Sequence, residues 1–370
     1  MPGKIGKLLL TLLAFFATAF LLAAANPGFS SLMLNLATGK ILDFKPCVTV
    51  VHPDGSSTYY QLVISTNDAR GTALMTANSA ADAGDVILLG AGTFTIKNMA
   101  LGSGVSLTGL GIDVSIIESY SDANAGIITP GSGSYLSSFT VNALRNDGTF
   151  QYPIGQPSGA AFGSCTIFNV KLVGDTDCLY NVPTGNTYTV YNSAFYSKWD
   201  TVSLGGGRAE LYNCILKAIG PTSVAGPHPA RAVVGAMHAQ ILLMGGNCIV
   251  NGGTTFNAAF HQNLGEKDCL IEAHNVRVQV GAPRSIVPGY DAFKTSIGTV
   301  RIDNVTRADG APLVLSATDG SIEDDTVRDY AAVPITSNSP CNPPMIARDA
   351  SYFYICIGTN TWKRVPVTTW

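Results

Sequence analysis

Six short segments of this chain share one plan, an apolar strand-like run broken by an asparagine and resumed at once. They are Ile167-Phe168-Asn169-Val170, Val190-Tyr191-Asn192-Ser193, Leu211-Tyr212-Asn213-Cys214, Gly245-Gly246-Asn247-Cys248, His274-Asn275-Val276 and Asp303-Asn304-Val305. Successive asparagines are 23, 21, 34, 28 and 29 residues apart. Steps this uneven exclude helical solenoids and suit a coil of short strands joined by loops of variable length. Asparagine tolerates a left-handed backbone, and its amide can bond to the amide stacked above it. The spacing therefore predicts a parallel β-helix in which Asn169, Asn192, Asn213, Asn247, Asn275 and Asn304 form one column at a buried turn.

Alternation after each asparagine supports the same architecture. The first following position is small or apolar (Val170, Ser193, Cys214, Cys248, Val276, Val305), the second is mixed (Lys171, Ala194, Ile215, Ile249, Arg277, Thr306), and the third is apolar again until Arg307. A period of two over such short runs is the mark of strands with one face in a core. Cys214 and Cys248 then share an inward slot on adjacent coils, where stacked thiols are expected ahead of a disulfide. Cys341 and Cys356 bracket a short segment outside the repeat and are expected to be bridged, as an exported chain allows.

Export is the reading of the N-terminus. Lys4 and Lys7 precede an uncharged apolar stretch over residues 8–22, and Ala23-Ala24-Ala25 offers a small-residue cleavage site. The competing reading is an uncleaved membrane anchor, because the apolar stretch approaches the length of a short span. Either places the rest of the chain outside the cytoplasm, secreted or at a cell surface. A net charge of −3, with no basic run, zinc spacing or phosphate loop, gives no reason to expect nucleic acid or a nucleotide partner.

The chain divides into a signal peptide (1–25), a lead-in (26–67), a coil with a capping helix (68–332), a Pro- and Ser-rich linker (333–344) and a C-terminal hairpin module (345–370). The lead-in holds a strand-like patch over residues 47–51 and a turn at Pro53-Asp54-Gly55. Residues 68–83 suit an amphipathic helix that would cover the open end of the coil. The tail reads as two strands joined by Gly358-Thr359-Asn360.

After that helix the chain runs Gly84-Asp85-Val86-Ile87-Leu88-Leu89-Gly90-Ala91-Gly92-Thr93-Phe94 and then Gly104-Val105-Ser106-Leu107-Thr108-Gly109-Leu110-Gly111. With the asparagine coils that follow, these stretches resemble the opening of the pectin lyase-like superfamily, over roughly residues 68–310. The resemblance implies an all-β, right-handed, single-stranded parallel β-helix. That superfamily spans lyases, hydrolases, esterases, phage tailspikes and binding proteins, so fold alone does not fix activity. The tail resembles a small module of phage structural proteins and bacterial surface proteins.

Signatures of the catalytic families on this fold are largely missing. The Gln-Asp and Leu-Gly-Arg-Pro-Trp runs of pectin methylesterases and the Trp-x-Asp-His of classical pectate lyases do not occur. Of the polygalacturonase set, only Asp175-Thr176-Asp177-Cys178-Leu179 looks like the Asp-Asp-Cys segment, with one residue inserted.

The ladder itself locates candidate chemistry. Asp177 and Asp200 each lie eight residues after a ladder asparagine, so stacking in register sets them about one coil, roughly 5 Å, apart. Asp175 and Lys198 flank them, and Arg145 and Asp147 occupy the comparable stretch one coil earlier. Such carboxylates on an outward face could act as acid and nucleophile or base on a glycoside, or hold Ca²⁺ against an acidic sugar, with no cofactor required. The bland reading is polar loop decoration on a solvated face. Trp199 and Tyr191 offer sugar-stacking surfaces. A second grouping, His274 with Glu272 and Arg277, could serve proton abstraction from a uronic acid.

The expected function is binding of an extracellular polysaccharide, extending to its cleavage as lyase or hydrolase. The alternative is a virion or cell-surface structural protein in which the coil, as a homotrimer in one form, is a rigid receptor-binding spacer.

Overall fold

The computed structural model describes residues 31–35, 40–44, 47–60, 66–119, 125–143, 151–155, 163–219, 230–251, 257–265, 269–280, 286–287, 298–308, 310, 313, 321–324, 333–341 and 345–366. The expected signal peptide lies outside them. Among the described residues no helix is long and apolar enough to cross a membrane.

Strands recur in threes. Cys165–Phe168 is followed by Lys171–Gly174 and Leu179–Tyr180, and the chain then returns at Thr187–Tyr191 directly beside its starting strand, with Cys165 opposite Tyr188 and Ile167 opposite Val190. Repetition of this step builds three sheets of twelve, nine and eight strands, parallel throughout the coil. The protein is a parallel β-helix.

Inward positions stack from coil to coil. Ile167, Val190, Leu211, Leu243, Ala273 and Ile302 form one buried column on the twelve-stranded sheet. Val141, Leu172, Phe195, Leu216, Cys248 and Val278 form another on the nine-stranded sheet. Each large apolar side chain so buried contributes about 1.5–3 kcal/mol from its removal from water. The half-buried Arg307 stands opposite Val278 and ends that column.

A second repeat lies at the corner between the twelve- and nine-stranded sheets. Ser138, Asn169, Asn192, Asn213, Gly245, Asn275 and Asn304 all have positive φ, from 48° to 71°. Five of the six expected asparagines belong to this column. Asn247 does not, because Gly245 occupies the corner of that coil. The Asn213 N–H donates to the Met244 carbonyl and the Gly245 N–H to the His274 carbonyl, while Asn247 pairs as a strand residue with Ile215 and Arg277. The column is also exposed rather than buried at Asn192, Asn213, Asn275 and Asn304. Its requirement is a left-handed backbone, which glycine and asparagine both meet. One amide contact is direct, Asn304 Nδ2 donating to Asn275 Oδ1 at 2.7 Å.

That shift moves Cys248 as well. It stacks on Leu216, whereas Cys214 stacks on Gly246, and both thiols are free and buried. Burial pushes the Cys214 thiol up to about 11 and raises Cys248 too.

The N-terminal end is closed by helix α1 (Asn67–Ala80), whose N-terminus is capped by Thr66 Oγ1 accepting from the Ala69 N–H at 3.1 Å. Leu74 and Ala77 are fully buried against the coil. An antiparallel hairpin, Val48–Val51 with Ser57–Tyr60, covers the first coil strand Val86–Leu89. The hairpin pairs the edge of that coil strand and leaves Ser57–Tyr60 as the terminal strand of the sheet.

The tail forms three antiparallel strands, Ile346–Arg348, Tyr352–Gly358 and Thr361–Pro366. The single strand expected before Gly358 is divided by a turn at Asp349. Cys341 and Cys356 are bridged, and with Ala347, Tyr354 and Trp362 they make a small separate core. Residues read as linker take part: Trp362 donates from its backbone N–H to Ser337 and from Nε1 to Ser339.

Candidate functional site

The corner between the nine- and eight-stranded sheets gathers buried charge. Asp175, Thr176 and Asp177 connect Lys171–Gly174 to Leu179–Tyr180; one coil on, Lys198 and Trp199 connect Ala194–Ser197 to Asp200–Leu204; the next coil brings Arg231 near the start of Ala230–Met237. Backbone bonds lock these corners together. Trp199 N–H donates to Thr176 O at 3.1 Å, Cys178 N–H to Thr201 O at 3.2 Å and Arg231 N–H to Trp199 O at 3.0 Å. A Cβ on Gly174 would stand 2.1 Å from the Asp177 carbonyl oxygen, so only glycine lets the chain fold back this tightly before the acid.

Leu179 pairs with Val202, and Asp200 with Arg231. Asp177 and Asp200 therefore lie at equivalent positions of adjacent coils, as the eight-residue count from the ladder implies. Their surroundings differ from the expected outward face. Asp177 is 6% exposed and Asp200 4%, beside equally buried Asp175 and Lys198.

Each charge has a distinct arrangement. Lys198 Nζ donates to Asp175 Oδ1 in a buried ion pair. Arg231 grips Asp200 with two parallel bonds, Nε to Oδ1 and Nη2 to Oδ2, both 2.7 Å. Its remaining Nη1 lies 2.7 Å from His261 Nδ1. Asp177 has its Oδ1 buried without a hydrogen-bond partner. Burial first, and then the Asp200 charge, hold the Asp177 carboxyl well above the ordinary carboxylate range, and Arg231 only partly offsets this. Tyr152 and Tyr180 stack on each other at 4.2 Å, and the Asp177 charge adds to burial in raising both phenols.

Other expected site residues are placed elsewhere. Arg145 and Asp147 lie outside the described residues. Trp199 is half-buried within the cluster itself. His274 belongs to the twelve-stranded sheet, 3.4 Å from Asp303 Oδ2, and Arg277 to the nine-stranded sheet, where it donates to the Ala308 carbonyl. Glu272 pairs with Arg301 rather than with either. Those three residues thus form no common group. Tyr191 is exposed but has one ring face stacked on Tyr212 at 4.9 Å.

Arg231, Tyr152 and Tyr180 were not anticipated from sequence, and His261, placed there between coils, was not tied to the acids. No motif surrounds them, and Arg231 lies 18 residues after Asn213 instead of eight. Asp175 and Asp200 are each engaged by a cationic side chain, and among the described residues no group of three or more His, Cys, Asp or Glu is arranged to hold a metal.

No protein-family model matches the chain. An 89-residue stretch is 39% identical to the capsule K30/K69-specific depolymerase of Klebsiella phage K64-1, covering 23% of this chain and 11% of that protein. The chain thus spans about a tenth of the curated relative it matches. Among solved structures, the A-module of the Azotobacter vinelandii mannuronan C-5 epimerase AlgE4 aligns over 71% of this chain and 92% of its own, at 14% identity and a TM-score of 0.42. Bacteriophage phi29 gene product 12 aligns over 69% and 39%, at 15% identity and 0.42. The pectin methylesterase PemA of Erwinia chrysanthemi aligns over 66% and 83%, at 14% identity and 0.33. The coil is established by its own strand register, independently of likeness at this level.

Proposed function

We propose that this protein binds an extracellular polysaccharide and hydrolyses its glycosidic bonds at the Asp177–Asp200 pair. The observation that carries this reading is the pair itself: two buried acids on adjacent coils, one held against a guanidinium and the other raised by burial. Environments that separate two carboxyl groups in this way are those that assign acid and base in glycoside hydrolysis. A structural explanation is weaker, because apolar side chains of similar volume would usually hold a buried corner at least as well as ion pairs do.

In the proposed reaction Asp177 gives its proton to the leaving glycosidic oxygen as the C1–O bond breaks. An Asp200 oxygen bonds to C1. Water then cleaves that ester, and Asp177 takes the proton back. The coil spacing of about 4.8 Å suits the short separation of a double-displacement pair, about 5–5.5 Å between carboxyl groups. The depolymerase relative makes a capsular polysaccharide the substrate class to examine first.

A second reading is a virion or cell-surface scaffold that binds glycan without cutting it. The disulfide-stapled tail with its own core favours it, since such a unit can serve as an attachment tip. The full chain, with and without residues 1–25, should be incubated with capsular, uronic-acid and neutral polysaccharides while reducing ends and unsaturated products are followed. New reducing ends without unsaturation support hydrolysis. Unsaturated products indicate elimination, and binding without either product selects the scaffold.

A further inference from the structure

We infer that Arg231 and His261 are positioning residues that keep the negative charge on Asp200 and the proton on Asp177. The inference deepens the hydrolytic reading and rests on it for its consequence in turnover. Its structural content can be tested without any substrate.

Arginine carries five N–H donors and no acceptor. The 2.7 Å contact between Arg231 Nη1 and His261 Nδ1 therefore has one polarity: the guanidinium donates and Nδ1 presents its lone pair. His261 must then be neutral with its proton on Nε2, since an Nδ1–H would face the guanidinium N–H. With two further donors on Asp200, the planar fork is fixed at three points. Lysine could not reproduce this arrangement, having a single nitrogen.

The consequence falls on the acid pair. Both Asp200 oxygens are held by Arg231, whereas Asp177 has its Oδ1 buried without a partner. A single proton shared by this pair belongs on the unpartnered Asp177 Oδ1. Among the described residues, the other ionisable groups around Asp177 are Cys178, Tyr152 and Tyr180, with the Asp175–Lys198 pair at the same corner. Lys198 is engaged with Asp175, and among the described residues Arg231 is the cation bonded to the Asp200 carboxylate.

The test uses the full chain labelled at aspartate carboxyl carbons and histidine ring nitrogens, followed by NMR against pH. At pH 7, His261 should give the Nε2–H tautomer signature, and Asp177 should be the last of the two acids to lose its proton. Replacing His261 by Gln, which keeps an acceptor, should preserve the order; His261→Leu or Arg231→Gln should narrow or reverse it. If cleavage is found, His261→Leu should lower kcat by tenfold or more and move the pH profile, with KM nearly unchanged and Gln restoring the rate. An Nδ1–H or protonated His261, or Asp200 holding the last proton, would overturn the inference in the parent protein even if every variant failed to fold. Absence of cleavage with the expected tautomer and order would instead reject only the hydrolytic reading.

Discussion

Asp200 is gripped through both carboxylate oxygens by Arg231, whereas Asp177, at the equivalent position one coil earlier, keeps a buried Oδ1 without a hydrogen-bond partner. Two acids of equal intrinsic strength are thus made unequal by the strand register. The raised Asp177 has a defined linkage to stability. A folded-state pKa above the unfolded value near 3.9 means that the native state binds the extra proton, so stability is full below that value and falls as pH rises through the raised one. Replacing Asp177 by Asn should flatten this part of the profile, as measured by urea unfolding at a series of pH values. Parallel profiles for parent and variant would show that Asp177 ionises normally.

The corner column gives a second prediction. A Cβ at Gly245 would come within 2.6 Å of Asn213 Oδ1, and its φ is +71°. Gly245→Ala should therefore cost about 1–2 kcal/mol for the left-handed backbone, with a further steric part. Only the steric part should disappear in an Asn213→Gly background, giving a non-additive cycle in thermal or urea unfolding. Strict additivity would mean that the two corners do not touch.

The tail offers a third. The Cys341–Cys356 bridge spans 15 residues and joins a core of five buried side chains. In the loop-entropy account, closing a loop of this size is worth about 3 kcal/mol. Replacing both cysteines by Ala should expose residues 337–366 to limited proteolysis while the coil keeps its far-ultraviolet signal and melting transition. Loss of the coil transition would show that the module supports it.

How far this structure was legible from sequence depended on whether a residue's neighbours repeat. The asparagine spacing exposed the coil because a left-handed corner strongly restricts its occupant, and it failed at Asn247 because Gly245 satisfies the same backbone without an amide to notice. Asp177 and Asp200 were found by counting from the ladder, since both coils take eight residues to reach the next corner. Arg231 was hidden by the longer path in its coil. Burial of the cluster was also illegible, because Asp, Lys and Thr beside a turn look like solvated loop in a sequence.

The Asp175–Lys198 pair separates scaffold from chemistry at this same corner. Both groups are buried and directly paired, so removing Lys198 takes this counter-charge from the buried Asp175. Lys198→Met should destabilise by about 3–5 kcal/mol, whereas Lys198→Met with Asp175→Leu should recover most of that loss, because an apolar pair avoids the desolvation cost. Urea unfolding checks both. If the double variant regains stability and also cleaves glycan at the parent rate, the pair is a structural brace. If stability returns without cleavage, the electrostatic field of the brace is needed by Asp177 and Asp200, and the reactive group extends to all four residues.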